Sequence, residues 1–211
     1  MASSCYDKLR KAANSTAADA SRASKLENLS SRRISEVLPN LFLSGRTVAQ
    51  NFELLKDHRI TTVINVSDRE IPLYPPVDSP VTTYRFYPMS DTPDAKFGEI
   101  LEESLRIIHR TRLRGEGVLV HCFLGVSRSA TLVAFYLIAM LEMKWSEAID
   151  FVRQRRSSIS PNVGFLHQLK VFSSSKSKEA RHRLTSPNCL PMRRSDGVVI
   201  RTYLPLAVLH F

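Results

Sequence analysis

Short apolar runs and longer periodic stretches take turns along the middle of this chain. Leu41-Phe42-Leu43, introduced by Pro39-Asn40 and closed by Ser44-Gly45, reads as a strand. So do the β-branched run Thr61–Val66, the segment Tyr84–Tyr87 that Pro88 stops, and Val118–Cys122. Between them, apolar residues recur at helical spacing. Val48, Phe52 and Leu55 form one such set, widened by Leu54, and Phe97, Ile100, Leu101, Leu105 and Ile108 form another. Trp145, Ala148, Ile149 and Val152 define a helix over 145–156, and Phe165, Leu166, Leu169 and Phe172 define one opened by Pro161-Asn162. A further helix begins near Arg128 and is almost wholly apolar to Leu141. Pro72, Pro75, Pro76 and Pro80 exclude a regular element across Ser67–Val81. Strands alternating with helices predict an α/β fold: a central, mainly parallel sheet flanked by helices, in one domain spanning residues 34–173.

Charge changes the picture only at the ends. The net charge is +10, yet the middle of the chain is nearly balanced. Residues 1–33 carry seven Lys/Arg against three Asp/Glu, and residues 174–211 carry seven against two. Basic tails on a neutral domain are read as solvated extensions, and no nucleic-acid partner is expected. Residues 1–33, rich in Ser and Ala, are expected to be a mobile extension. Residues 174–211 are expected to form a basic tail whose apolar end, Val198–Phe211, docks on the domain, with a partner-binding segment and plain disorder as the alternatives. The run Ala130–Leu141 is too short for a bilayer span, so no transmembrane segment is expected. Cys5, Cys122 and Cys189 are widely spaced, which argues against a disulfide framework or a zinc site and for a reducing compartment, cytoplasm or nucleus. Asp7 and Asp19 count against a mitochondrial transit peptide.

Candidate chemistry concentrates where the buried strand meets the apolar helix. His121-Cys122 ends the strand, a polar loop with Gly125 follows, and Arg128-Ser129 opens the helix. At the carboxyl edge of an open α/β sheet, backbone N–H groups and a helix N-terminus make an anion cradle. A cysteine in such a cradle, beside a guanidinium, is expected to be a thiolate nucleophile. Arg128 offers a planar fork for two oxygens of a tetrahedral dianion, and Ser129 a hydroxyl for the departing sulfur. Phe123, Leu124, Gly125, Val126, Ser127 and Arg128 would bind the phosphate.

The stretch HCFLGVSRS resembles the H-C-x-x-G-x-x-R-S signature of cysteine-dependent protein tyrosine phosphatases, and GVSRSAT is similar to their dual-specificity branch. The likeness runs from about Ile34 to Phe172 through PNLFLSG, TTVINVS, the region of Asp91 and PNVGF. It is greatest with the small atypical dual-specificity phosphatases. Ala2 removes the N-myristoylation signal found in some of them. The resemblance implies a protein tyrosine phosphatase-like fold with a single catalytic domain. It also implies hydrolysis of phosphotyrosine and phosphoserine/threonine through a cysteinyl-phosphate.

Asp91 matches the family's general acid, with Asp94 a close competitor and Asp68 a distant one; a helix-capping role for Asp91 stays open. His121 is expected to be a buried, hydrogen-bonded support on the face opposite Cys122. Asn162 resembles a position that braces the phosphate loop, or else caps its helix. Arg69 could reach substrate or merely be solvated. The chemistry needs no cofactor or metal. The expected partners are phosphoprotein substrates, since Phe123, Leu124, Val126 and Ser127 lack the lysines usual in relatives acting on inositol lipids. A phosphoinositide or RNA 5′-phosphate substrate, and a catalytically weak phospho-binding module, are the alternatives.

Overall fold

The computed structural model describes residues 33–70 and 79–186. Of the tails expected at 1–33 and 174–211, residues 1–32 and 187–211, and with them the docking of Val198–Phe211, lie outside the described residues. Five strands, β1 (Ser35–Leu38), β2 (Leu41–Gly45), β3 (Ile60–Ser67), β4 (Thr83–Pro88) and β5 (Gly117–Cys122), form one sheet of order β1-β2-β5-β3-β4. Only β1 runs antiparallel to its neighbour. The helices are α1 (Arg46–Ala49), α2 (Phe52–Asp57), α3 (Gly98–Leu113), α4 (Arg128–Leu141), α5 (Trp145–Arg155), α6 (Val163–Ser175) and α7 (Ser177–Thr185).

Alternate strand residues feed two cores, as the two-residue period of a strand requires. Leu41, Leu43, Ile64, Val66, Val118 and Val120 pack under the larger helical layer that contains α4. Phe42, Ile60, Val63 and Leu119 face the smaller cluster with Ala49 and Leu55. Because α4 is apolar on nearly all sides, it must be covered on all sides. Every residue from Arg128 to Met140 is buried. Phe97, Phe135, Phe165 and Phe172 join α3, α4 and α6 through tilted and edge-on ring contacts with centroids 5.0 to 5.3 Å apart. Truncating Phe135 to Ala at such a site costs about 3–5 kcal/mol. Among the described residues no helix is long and apolar enough to cross a membrane.

Three features depart from the sequence expectation. A strand, β1, precedes the first expected one; Pro39-Asn40 turns the chain back on itself, with Asn40 at φ 65, a conformation that asparagine tolerates. The helix expected across Val48–Leu55 is broken in two, because the Asn51 side chain accepts the Leu54 N–H and starts α2 afresh. The domain boundary at 173 falls inside α6, and α7 extends the folded body to Thr185. Leu184 is buried and Ala180 packs beside it, but two apolar residues four apart in a charged segment give little periodic signal.

Inside the larger core, Arg112 donates to the Tyr136 hydroxyl oxygen at 2.8 Å, leaving that hydroxyl to donate to His109 Nδ1 at 3.1 Å. This pairing needs a neutral imidazole. Burial first, and the Arg112 charge second, push the His109 pKa down to about 4, and burial does the same for His121. Both groups take up protons near 6.5 when unfolded, so between pH 6.5 and 4 the unfolded chain binds more protons than the folded one. Stability is therefore complete above pH 6.5 and declines as pH falls toward 4, by up to about 1.4 kcal/mol per pH unit for each histidine. Urea midpoints measured from pH 7.5 to 4.5 should fall accordingly, and more shallowly in His109→Gln.

Candidate active site

Strand register delivers Cys122 to the carboxyl edge of the sheet, opposite Gly45 of β2. The chain then turns through Phe123–Ser127 into α4, and the orientation of this turn is set from outside. The Phe123 carbonyl accepts the Arg46 N–H at 3.1 Å, and the Val126 carbonyl accepts the Ser160 N–H at 2.9 Å. Arg156 donates from Nη2 to the Leu124 carbonyl at 3.1 Å and from Nε to that of Gly125 at 2.7 Å. Thr131 supplies both its N–H and its hydroxyl to the Ser127 carbonyl. Five consecutive carbonyls are thus engaged outward, which leaves the amides of the loop for its interior.

The interior holds the sulfur. Cys122 Sγ, 2% exposed, accepts the Gly125 N–H at 3.2 Å and the Ser129 hydroxyl at 3.1 Å. Arg128 is buried with its Nη1 donating to the Met89 carbonyl at 3.0 Å and to Asp68 Oδ1 at 3.2 Å. Its Nε has no hydrogen-bond acceptor among the described residues and lies 3.5 Å from Asp91 Oδ2. A cavity of about 310 Å³ opens over Cys122, Arg128, Asp91 and Asn162.

Asp91 lines this cavity together with Cys122 and Arg128. Its Oδ1 accepts the Ser127 hydroxyl at 2.7 Å and the Asn162 side-chain amide at 2.9 Å. Asn162 meanwhile accepts the Phe165 N–H at 3.0 Å, so it caps α6 and reaches Asp91 at once; it acts on the loop through Asp91 and Ser127. No helix starts at Asp91, which removes the capping reading. Asp94 is exposed and turned to Thr92, whose side-chain hydrogen bond is the first cause of its lowered pKa. Asp68, the distant competitor, pairs with Arg128, and a backbone hydrogen bond is the first cause of its lowered pKa. Arg69 is exposed. His121 is fully buried, and its Nδ1 donates to its neighbour's carbonyl, that of Cys122, at 3.2 Å. Leu119, two residues earlier on the same strand face, sets His121 on the side away from Val120 and α4.

Three residues were not foreseen. Arg156 is buried, bonded to loop carbonyls and also to the Arg33 carbonyl at 2.8 Å, and burial pulls its pKa down to about 10, so it stays cationic at neutral pH. The available signal was its place four residues after Val152, where a charged side chain continues the inward stripe Ala148-Val152 of α5. Gly164 lies against the Asp91 segment: a Cβ there would meet the Pro93 carbonyl oxygen at 1.9 Å. Gln168 adds two bonds to the same segment, accepting from Phe97 N–H at 3.0 Å and donating to the Ala95 carbonyl at 2.8 Å.

The pattern of the family described as dual specificity phosphatase, catalytic domain, matches residues 41–175. The chain belongs to that family. Dual specificity protein phosphatase 22 of Homo sapiens is 35% identical over 151 residues, which cover 72% of this chain and 79% of the relative. Dual specificity protein phosphatase 15 of Homo sapiens is 34% identical over 160 residues, covering 74% and 52%. A crystal structure of DUSP15 superposes with a TM-score of 0.67 at 31% identity, covering 72% of this chain and 94% of that one. The human tyrosine phosphatase-like serine/threonine/tyrosine-interacting protein gives 0.63 at 31% identity, covering 68% and 97%. The mainly parallel sheet flanked by helices that is expected of a phosphatase of this branch is present.

In this phosphatase the loop tolerates no side chain at its glycine. Gly125 has φ +73, and a Cβ there would lie 2.4 Å from the Ser44 carbonyl carbon and oxygen and 2.7 Å from Gly45 N. Both obstacles are backbone of β2, which is itself paired to β5. Gly125→Ala should cost roughly 2 kcal/mol or more. A lowered melting temperature together with lost turnover of an aryl phosphate would be the expected result.

Proposed function

We propose that this dual-specificity phosphatase releases phosphate from phosphotyrosine and phosphoserine/threonine of proteins in two steps run by Cys122, Arg128, Asp91 and Ser129. The phosphate dianion enters the loop, held by backbone amides and by the fork of Arg128. The buried Nε of Arg128, with no hydrogen-bond acceptor among the described residues and only Asp91 Oδ2 at 3.5 Å, carries this reading, since a buried donor is costly to leave unpaired and a phosphate oxygen would satisfy it.

Cys122 Sγ attacks phosphorus in line, the P–O bond to the substrate breaks, and Asp91 gives its proton to the leaving oxygen. The two donors on Asp91 Oδ1 leave Oδ2 as the oxygen to carry that proton. In the second step a water attacks the cysteinyl-phosphate and passes a proton to Asp91. The S–P bond breaks while the Ser129 hydroxyl, 3.1 Å from the sulfur, stabilises it as it leaves. No step calls for a metal. The uncharged side chains of Phe123, Leu124, Val126 and Ser127 suit a protein phosphoester better than a polyanionic inositol headgroup. A reducing cytoplasm or nucleus would keep the sulfur usable.

Cys122→Ser should abolish turnover, whereas chelator should leave the wild type unaffected. Asp91→Asn should slow hydrolysis of phenyl phosphate and phosphopeptides by about 10²- to 10⁴-fold. With a nitrophenol leaving group, which needs little protonation, the loss should be much smaller, and the basic limb of the kcat/KM profile should vanish. Equal losses for both leaving groups would remove Asp91 from the role of acid.

A further inference from the structure

Beyond the loop itself, its rim carries an arrangement that the two chemical steps leave unused. Register sets it up: Gly45 pairs with Cys122, so the next residue of β2's strand end, Arg46, lies beside Phe123, and the Arg46 N–H binds the Phe123 carbonyl. The Arg46 guanidinium carbon lies 4.2 Å from the Phe123 ring centroid, stacked over it. Phe123 is 38% exposed, and it lines the cavity above Cys122.

Stacking uses the face of a guanidinium and leaves its N–H edge for acceptors. Among the described residues no carboxylate or carbonyl accepts from the Arg46 side chain, although Arg85, Arg106, Arg114, Arg128, Arg153, Arg181 and Arg183 all have carboxylate partners. The side chain is therefore stacked on an aromatic ring at the mouth of the phosphate cavity, with no acceptor for its donors among the described residues. Asp68 and Asp91, the acidic groups beside the cavity, are already engaged with Arg128, Ser127 and Asn162.

Resting on the phosphatase reading above, we propose that Arg46, stacked on Phe123, is a recognition site for an acidic side chain adjacent to the phosphorylated residue of a protein substrate. A peptide whose phosphate is anchored in the loop must cross the rim where Phe123 stands. A Glu or Asp one or two residues away then meets a guanidinium whose orientation is fixed in advance, which lowers the entropy that an exposed ion pair usually costs. A lysine at the same place meets like charge.

The test is kcat/KM for three phosphotyrosine peptides that differ only in Glu, Ala or Lys on both sides of the phosphorylated residue, with para-nitrophenyl phosphate as the flank-free substrate. The wild type should favour the Glu over the Lys peptide by roughly 5- to 10-fold at low salt, less at 0.5 M salt. Arg46→Ala should bring the peptides to within about 2-fold of each other, Arg46→Glu should invert the order, and both should keep wild-type turnover of para-nitrophenyl phosphate. No preference in the wild type, or a preference that survives Arg46→Ala, overturns the proposal while leaving the phosphatase reading intact. Loss of para-nitrophenyl phosphate turnover in Arg46→Ala also overturns it, by placing Arg46 in the phosphate site. Absence of that turnover in the wild type would instead sink the phosphatase reading and the recognition site with it.

Discussion

Everything at this site depends on which way a short turn of backbone faces. A peptide loop has as many carbonyls as amides, and left alone it would present both signs of partial charge to a ligand. Here the five carbonyls from Phe123 to Ser127 are drawn outward by donors from four separate parts of the chain: Arg46, Arg156, Ser160 and Thr131. That leaves the positive ends of the peptide dipoles inside, around Cys122. The selection of one sign is a tertiary effect. The nine-residue signature supplies the sulfur, the glycine and the arginine, but the donors that orient the loop come from α1, from the end of α5 and its following loop, and from the second turn of α4.

The acid segment is held by the same logic from the other side. Asp91 follows β4, an edge strand that would leave its carboxylate loosely placed if nothing else touched it. Helix α6 supplies the missing constraint through Asn162, Gln168 and the bare Cα of Gly164 against Pro93. Because Asn162 is also the N-cap of α6, the residue that begins the helix is the one that holds the Asp91 carboxylate. Helix α6 is in turn fixed by Phe165 and Phe172 in the aromatic cluster with α4. Cys122 and Asp91, 31 positions apart in sequence, are thereby referred to a single rigid body, the buried helix α4.

This explains what was legible in the sequence and what was not. Strands β2 to β5 and helices α3 to α6 announce themselves through periodicity, since each buries a regular face. Cys122, Arg128 and Ser129 are legible because the chemistry needs them close together in one chain segment. Asp68 and Arg156 were not, because their roles are set by three-dimensional neighbours. Asp68 follows β3 and meets Arg128 only because β3 and β5 are adjacent and parallel. Arg156 looks like one more basic residue in a charged stretch until the inward stripe of α5 is continued one turn further. Gly164 is silent for a similar reason: a glycine in the first turn of a helix reads as a weak helix former, and only the approach of Pro93 gives it a purpose.

Burial of two guanidiniums beside one thiol also bears on what the cavity is built to hold. A buried cation is costly unless carbonyls or anions surround it. Arg128 is compensated by Asp68, the Met89 carbonyl and, more distantly, Asp91, while Arg156 is bonded to the carbonyls of Leu124, Gly125 and Arg33. Between them lies the sulfur, an acceptor of hydrogen bonds, and around it the inward amides and the N-terminus of α4 contribute positive potential to the space. Asp68 is the half-exposed partner of Arg128 and can turn to solvent, whereas the guanidinium cannot. A dianion entering the cavity therefore displaces a weak, screened carboxylate contact and gains a buried, pre-aimed cation, and it is this exchange that makes a phosphoryl group the natural occupant.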